Sequence, residues 1–295
     1  MQEQPKTTPN NINTAKLLIG IAVVMFVGFA GFWSVLAVKG LQGETNIAEK
    51  FSALYGLMAL YGGVVGLTVS RRWGWFKSRV GRAVAFASLG LLAQELGQVT
   101  YSAYTYLWHR EIPYPSWGDV GYFGSVILYI LAAYSLVKAL SVKSASRTKL
   151  SKLWIVCIPI VVLAFSYFMF LRDYQYNFRH PLTLFLDFGY PLGQALYIAL
   201  AILAFVLSRR FLGGVMRSVI LFLIFAFALQ YVADFMFLYQ VSRNTWKTAG
   251  ANELMYLISY FVMTLALISF KSVLDNLSRG RTMAGQTSVE DAEQR

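Results

Sequence analysis

The stretch LLIGIAVVMFVGFAGFWSVLAV, residues 17–38, contains no charged side chain. About 20 apolar residues in a helix cross the ~30 Å hydrocarbon core of a bilayer, because each residue adds about 1.5 Å. The stretch is too long for the apolar core of a signal peptide, and no convincing small-residue cleavage site accompanies it. It therefore predicts a helix that remains in a membrane.

Seven more apolar runs follow, each long enough to cross a bilayer. The eight runs lie at about residues 16–38, 51–70, 80–107, 118–138, 153–171, 182–208, 215–239 and 251–271. Residues 1–14 and 272–295 are polar, and we expect them to form flexible cytoplasmic tails that are too short to hold a folded domain. Between them, residues 15–271 are predicted to form an all-α, polytopic membrane helix bundle of about eight transmembrane helices.

The composition agrees with a protein whose outer solvent is the lipid bilayer. Hydrophobic residues make up 57% of the chain and charged residues 14%, whereas soluble domains carry about 25% charged residues. The formal net charge is +12. We attribute this charge to membrane topology and expect no nucleic-acid partner.

Lysine and arginine alternate between the predicted connections. With the N-terminus inside, 19 of the 26 basic residues fall on the cytoplasmic side and 7 on the outer side. Basic residues are enriched in cytoplasmic loops of membrane proteins. The alternation therefore predicts that both termini lie in the cytoplasm, in a multi-pass protein of the bacterial inner membrane.

The even-numbered helices share an opening in which an acid precedes a tyrosine by three residues. The motifs are Asp119-Val-Gly-Tyr122, Asp187-Phe-Gly-Tyr190 and Glu253-Leu-Met-Tyr256, at intervals of 68 and 66 residues. The second helix carries Ser52-Ala-Leu-Tyr55 at the same phase, with serine in place of the acid. The pattern predicts four parallel helical hairpins of about 66 residues.

Polar side chains within the apolar runs fall at one depth, towards the outer face. Glu95 and Asp234 lie on the third and seventh helices, each about one turn from a glutamine on the same face. An unpaired carboxylate in a membrane costs several kcal/mol, so these groups should face one another, a basic loop or water. The predicted ligand-binding residues are Glu95, Gln98, Asp119, Tyr122, Asp187, Tyr190, Gln230, Asp234, Glu253 and Tyr256.

Helix capping is a competing explanation for three of these acids. Ser116 and Asp119 have capping-box spacing, and acids in a first helical turn interact favourably with the helix dipole. The same role is open to Asp187 and Glu253. Capping does not explain Glu95 or Asp234, because neither is near a predicted helix N-terminus.

The sequence contains no recognisable catalytic motif. His109 and His180 fall in outer loops without the spacing of metal ligands, and Cys157 is the single cysteine. No Gly-rich phosphate loop or serine nucleophile elbow is present in the sequence. We therefore predict no catalytic residue, no metal and no cofactor.

The stretch Pro113-Tyr-Pro-Ser-Trp-Gly-Asp119-Val-Gly-Tyr122 resembles the Pro-x-Pro-Ser-x-x-Asp-x-x-Tyr entry of a multi-helix bacterial membrane sensor region. That region precedes diguanylate cyclase, phosphodiesterase and histidine kinase modules. Asp187-Phe-Gly-Tyr190-Pro191 is similar to its Asp-x-x-Tyr-Pro segment, although Gln194 and Glu253 stand where the region often has Asp. The resemblance covers roughly residues 85–271 and implies a sensor region, here expected without an output module.

These features together favour a stand-alone membrane sensor or ligand-binding module. An acidic and aromatic pocket open to the outer face would bind an unknown small ligand or cation, and a separate cytoplasmic partner would read the response. The alternatives are a secondary transporter, including a proton-coupled one, and a scaffold subunit of a membrane complex. The scarcity of ionisable residues in the inner halves of the helices counts against transport.

Overall fold

A computed structural model describes residues 11–43, 45–108, 110–141, 149–172, 174, 178–211 and 215–293. Within these ranges the fold is all-α and contains no strand. Its α-helices are α1 (Asn11–Val38), α2 (Asn46–Leu54), α3 (Leu57–Arg72), α4 (Arg79–Tyr106), α5 (Gly118–Ser141), α6 (Lys149–Ser166), α7 (Pro181–Phe211), α8 (Val215–Ser242) and α9 (Ala251–Glu293). His109, placed in an outer loop by the sequence, lies outside the described residues.

Six helical stretches are both long and apolar enough to cross a membrane. They are Thr14–Val38, Asn46–Arg72, Gly118–Leu140, Pro181–Ser208, Met216–Ser242 and Ala251–Asp275. Two of the eight predicted spans, the third and the fifth, meet only one of the two criteria of length and apolar composition. The 28-residue α4 has the length but a more polar composition, and Val156–Leu171 is apolar but shorter.

The outer surface of α1 shows why a membrane is needed. Large apolar side chains on this helix are exposed, including Leu17 at 63%, Val24 at 73% and Val27 at 61%. In water, burial of apolar surface stabilises a folded protein by about 25 cal/mol for each Å², and exposed side chains do not contribute this stabilisation. In a bilayer the same surface meets lipid chains, so the exposure carries no such penalty.

Six of these helices pack into a closed ring. Around it, α3 contacts α4, α4 contacts α5, α5 contacts α7, α7 contacts α8, α8 contacts α9, and α9 returns to α3. Outside the ring, α1 packs mainly against α9, and α6 packs against α7. The ring gives each of its helices one face that is shielded from lipid.

The second apolar run is two helices rather than one. Tyr55 and Gly56 form a turn between α2 and α3. The amides of Met58 and Ala59 donate to carbonyls only three residues back, those of Tyr55 and Gly56, at 3.1 and 2.8 Å. The tighter hydrogen bonds mark a local interruption of the α-helix.

The boundary predicted at residue 271 does not coincide with a helix end. The backbone of α9 remains helical to Glu293. The buried Asp275 pairs with Lys271 at 2.7 Å and with Arg72 at 2.9 Å, so the end of α3 is fastened to α9. At the other terminus, α1 begins at Asn11, inside the segment predicted to be a tail, and residues 1–10 lie outside the described ranges.

Helices α4 and α5 approach each other closely at two glycines. A β-carbon on Gly121 would overlap the backbone of Gly97 and the Ala93 carbonyl oxygen. A β-carbon on Gly124, further along α5, would meet open space. Small residues allow this kind of backbone contact between membrane helices.

We predict that Gly121→Ala destabilises the protein by about 2 kcal/mol or more, because the two backbones must separate. The matched control Gly124→Ala should leave stability unchanged. Thermal unfolding of both variants in the same detergent, followed by tryptophan fluorescence, measures the difference. Equal melting temperatures would contradict the close contact.

Candidate functional site

Polar side chains of the ring helices converge on the interior of the ring. Buried glutamines, serines and acids recur on them, among them Gln94, Gln230 and Asp234, which are at most 4% exposed. Lipid offers polar groups no hydrogen bonds, so an interior shielded from lipid is the favourable place for them. We call the following set the interior network: Ser52, Tyr55, Gln94, Glu95, Gln98, Tyr122, Ser125, Tyr197, Gln230, Asp234, Glu253, Tyr256, Ser259 and Tyr260.

Asp234 on α8 accepts three hydrogen bonds within the interior network. The Tyr197 hydroxyl donates to its Oδ2 at 2.7 Å, and the Tyr256 hydroxyl and Gln230 Nε2 donate to its Oδ1 at 3.0 Å each. The Ser259 hydroxyl donates to Gln230 Oε1 at 2.7 Å. One carboxylate and its glutamine neighbour thus connect α7, α8 and α9.

Gln98 on α4 makes the corresponding contacts on the other side of the interior. The Tyr122 hydroxyl donates to its Oε1 at 2.9 Å, and the Tyr55 hydroxyl lies 3.4 Å from the same atom. Gln98 Nε2 donates to the backbone carbonyl of Ser52 at 2.5 Å. The side chain therefore joins α4, α5 and the interrupted second span.

Stacked tyrosine rings connect these two groups of contacts. The ring of Tyr260 lies 6.1 Å from that of Tyr55 and 5.8 Å from that of Tyr256, measured between centroids. The Tyr260 hydroxyl donates to Gln94 Oε1 at 3.1 Å, and Gln94 Nε2 donates to the Ser125 hydroxyl at 2.8 Å. The interior network is thus continuous across the ring.

Glu253 combines capping with a contact between helices. It lies in the first turn of α9, and its Oε2 accepts a hydrogen bond from the Ala249 amide at 3.1 Å. The same oxygen accepts a hydrogen bond of 2.6 Å from the Ser52 hydroxyl on α2. Capping is therefore one part of its role, and attachment of the second span to α9 is another.

Glu95 is buried against the interruption of the second span. A β-carbon on Gly56 would overlap Glu95 Oε2, which places the carboxyl group directly against that turn. Glu95 is 7% exposed, and within the described ranges its Oε2 has no hydrogen-bond partner.

Asp119 lies at the start of α5, towards one end of the ring. Its Oδ2 accepts hydrogen bonds from the Ser116 amide at 2.7 Å and the Ser116 hydroxyl at 3.2 Å. The Tyr190 hydroxyl on α7 donates to its Oδ1 at 2.7 Å. The predicted capping interaction is present, and Asp119 also joins α5 to α7.

Asp187 does not cap a helix, so that explanation is wrong for this residue. Helix α7 begins at Pro181, and Asp187 lies in its second turn. Its two carboxylate oxygens accept hydrogen bonds from Tyr114 at 2.7 Å and Tyr174 at 2.6 Å, which lie in the segments before α5 and α7. We call Asp119, Asp187, Tyr114, Tyr174 and Tyr190 the outer cluster.

The ten predicted residues therefore divide between two groups, and all of them except Glu95, which is packed against Gly56, make side-chain hydrogen bonds there. Seven belong to the interior network, and Asp119, Asp187 and Tyr190 belong to the outer cluster. The sequence pattern did not single out Tyr197, because α7 is apolar on most of its faces. Gln94 was also missed, although its spacing from Gln98 matches that of Gln230 from Asp234.

A cavity of about 660 Å³ lies elsewhere, along α7 and facing α6. Its lining is apolar and includes Leu163, Leu184, Phe185 and Leu192. It is a lateral groove in the lipid-facing surface and differs in character from the predicted polar pocket. Among the residues placed by the structure, no three His, Cys, Asp or Glu side chains are arranged to hold a metal ion.

Comparison of the chain with protein-family models, curated proteins and solved structures finds no match. The resemblance of the Pro113–Tyr122 motif to a bacterial membrane sensor region therefore stays a prediction.

We predict that Tyr197→Phe lowers the stability by about 1–2 kcal/mol, because a buried carboxylate oxygen loses its hydrogen-bond donor. The control Tyr134→Phe removes an exposed hydroxyl from α5 and should have no measurable effect. Unfolding of both variants in one detergent gives the comparison. If both lose the same stability, the Tyr197–Asp234 hydrogen bond contributes nothing.

The outer cluster should titrate at high pH. The hydrogen bond to Asp187 is the main cause that raises the pKa of Tyr174 from 10.0 to about 12, and burial and the charge of Asp187 add to it. Because this pKa is higher in the folded protein, the interaction stabilises fully below pH 10 and its contribution is lost as the pH rises through about 12.

Phenolate absorbance measures this titration. When the absorbance titration of Tyr174→Phe is subtracted from that of the wild type, the difference should show one phenol that ionises near pH 12. In an Asp187→Asn background, the same difference should move towards pH 10. A difference curve that Asp187→Asn leaves unchanged would contradict the assigned hydrogen bond.

Proposed function

We propose that this protein is an integral membrane sensory or ligand-binding module without enzymatic activity. In this proposal a small ligand or cation reaches the interior network from the outer face, and a separate cytoplasmic partner reads the change in helix packing. The supporting observation is that acids, amides and tyrosines from all parts of the ring share one buried hydrogen-bonded network. Such groups are costly in a membrane and mark functional sites there by default.

The topology that belongs to this proposal has eight spans in a bacterial inner membrane, with both termini in the cytoplasm. The 28-residue length of α4 supports the third span, and its lower hydropathy follows from Gln94, Glu95 and Gln98, which are buried in the ring. The fifth span would be α6 with the π-helical turn Tyr167–Leu171. The distribution of 19 of 26 basic residues on one side supports the orientation.

A correspondence between two halves of the ring supports the proposed repeats. The matching hydrogen bonds are Gln94–Ser125 with Gln230–Ser259, and Tyr122–Gln98 with Tyr256–Asp234. The four residues of the two first-half bonds have their counterparts 134 or 136 positions later, which is two hairpin periods, with Asp234 in the place of Gln98. The packing order α3–α4–α5 is likewise repeated as α7–α8–α9, with α1 and α6 outside the ring.

The two halves match in position but differ in charge. Gln98 presents a neutral amide where Asp234 presents a carboxylate, and both accept a hydrogen bond from a tyrosine on the next helix. At this matched position the interior therefore offers a ligand a carboxylate on one side and an amide on the other, with aromatic rings between them, and Glu95 and Glu253 lie on the amide side. A cation or a polar molecule with hydrogen-bond donors fits that combination.

The scaffold alternative has a specific observation in its favour. Both carboxylate oxygens of Asp234 already accept hydrogen bonds from neighbouring side chains, an arrangement that fastens helices together without any ligand. A ligand that binds through Asp234 would compete with these donors for its oxygens.

A thermal-shift screen of the purified protein against ions and small metabolites, across pH, separates these proposals. A ligand should raise the melting temperature of the wild type with increasing concentration, as expected for selective binding to the folded state. Asp234→Asn should abolish that shift, while Glu111→Gln, which alters an exposed acid, should preserve it.

A scaffold predicts a different result from the same experiment. No ligand would then shift the wild type, and Asp234→Asn would lower its stability under every condition. Accumulation of a ligand inside proteoliposomes, abolished by Glu95→Gln, would instead favour a transporter.

A further inference from the structure

Glu95 differs from the other interior acids in the hydrogen bonds that it receives. Asp234 accepts three and Glu253 accepts two. Glu95 Oε2 is buried and, in the part of the chain that the structure describes, has no partner. An ionised carboxylate is most costly in a low-dielectric interior when neither donors nor an opposite charge compensate for it.

In the part of the chain that the structure describes, no basic group forms an ion pair with Glu95. Lys50, the basic side chain of the neighbouring α2, is exposed. Helix α4 contacts α2, α3, α5 and α9, which contribute Tyr55, Tyr122 and Glu253 to this region, and α4 itself contributes Tyr101. These groups are phenols and a second acid. The short turn that carries Lys77 packs at the opposite end of α4, about 24 Å away along the helix.

The carboxyl group of Glu95 occupies space that a side chain at residue 56 would fill. Gly56 lies in the interruption of the second span, where the amides of Met58 and Ala59 donate to carbonyls three residues back instead of four. Gln98, one turn along α4, donates to the Ser52 carbonyl beside the same interruption. A change in the charge of Glu95 would therefore act directly on the backbone of a spanning helix.

We propose that Glu95 is a proton-binding site, protonated in the resting protein, whose release of the proton to water at the outer face is coupled to the turn at Tyr55 and Gly56. The inference rests on the proposed binding function and names one ligand for it. A proton fits better than a metal ion, because the Tyr55 and Tyr122 hydroxyls are directed to Gln98. A metal ion requires several oxygen ligands at once.

Infrared spectroscopy of the protein in lipid vesicles tests the proposal, since a protonated carboxyl group absorbs separately from a carboxylate. The spectrum of the wild type minus that of Glu95→Gln should contain one protonated carboxyl at neutral pH. This band should disappear reversibly at higher pH. Glu111→Gln, which changes an exposed acid, should leave the wild-type spectrum intact in this region.

Gly56→Ala provides a second variant that does not remove the acid. The added methyl group must displace the Glu95 carboxyl, so the band should shift and titrate at lower pH, and the melting temperature should fall. Combining it with Glu95→Ala, which empties the contested space, should recover part of that loss. An unchanged band in Gly56→Ala would overturn the coupling, even if Glu95→Gln failed to fold.

The outcomes separate this inference from the wider proposal. Absence of a protonated band assignable to Glu95 overturns the proton site, even if a ligand still shifts the melting temperature in an Asp234-dependent way. Loss of the band in sodium but not in potassium buffer would replace the proton with a metal cation. A titrating band without any ligand response would keep the proton site and remove the broader ligand-binding function.

Discussion

The inability of lipid to form hydrogen bonds is the constraint on which the arrangement of this protein depends. A carboxylate or amide that faces lipid lacks partners, so the polar faces of the ring helices turn towards one another. Asp234 illustrates the result, because its three donors come from α7, α8 and α9. The same constraint leaves α1, which has an uncharged apolar stretch and few polar groups to satisfy, on the outside of the ring.

The need of each buried polar group for a hydrogen-bond partner also explains why the interior network joins neighbouring helices. A tyrosine hydroxyl lies at the end of a rigid apolar ring, so it reaches an acceptor on the next helix while the ring fills the space between. Tyr122, Tyr190, Tyr197 and Tyr256 all donate in this way. Tyrosine therefore supplies packing and hydrogen bonding together, which suits a chain that is 16% aromatic.

The sequence predicted the all-α membrane fold and the pairing of Gln230 with Asp234, because both follow from local periodicity. It did not predict Tyr197 as a partner, because an apolar helix does not indicate which of its faces turns inward. The interruption at Tyr55 and Gly56 carries no proline, and it packs against Glu95, which is distant in sequence. The continuation of α9 past residue 271 likewise includes a contact between Asp275 and Arg72 that no local pattern encodes.

A network that holds helices together is also the means by which a bound ligand would move them. A ligand that engages Asp234 would compete with Tyr197, Tyr256 and Gln230 for its oxygens, and loss of either tyrosine would free a contact of α8 with α7 or α9. Because α9 carries Asp275, which pairs with Arg72 of α3, a shift of α9 would reach the opposite end of the ring. In the proposed function, structural attachment and signalling would therefore use the same hydrogen bonds, and the difference between them would lie in whether a ligand competes for Asp234.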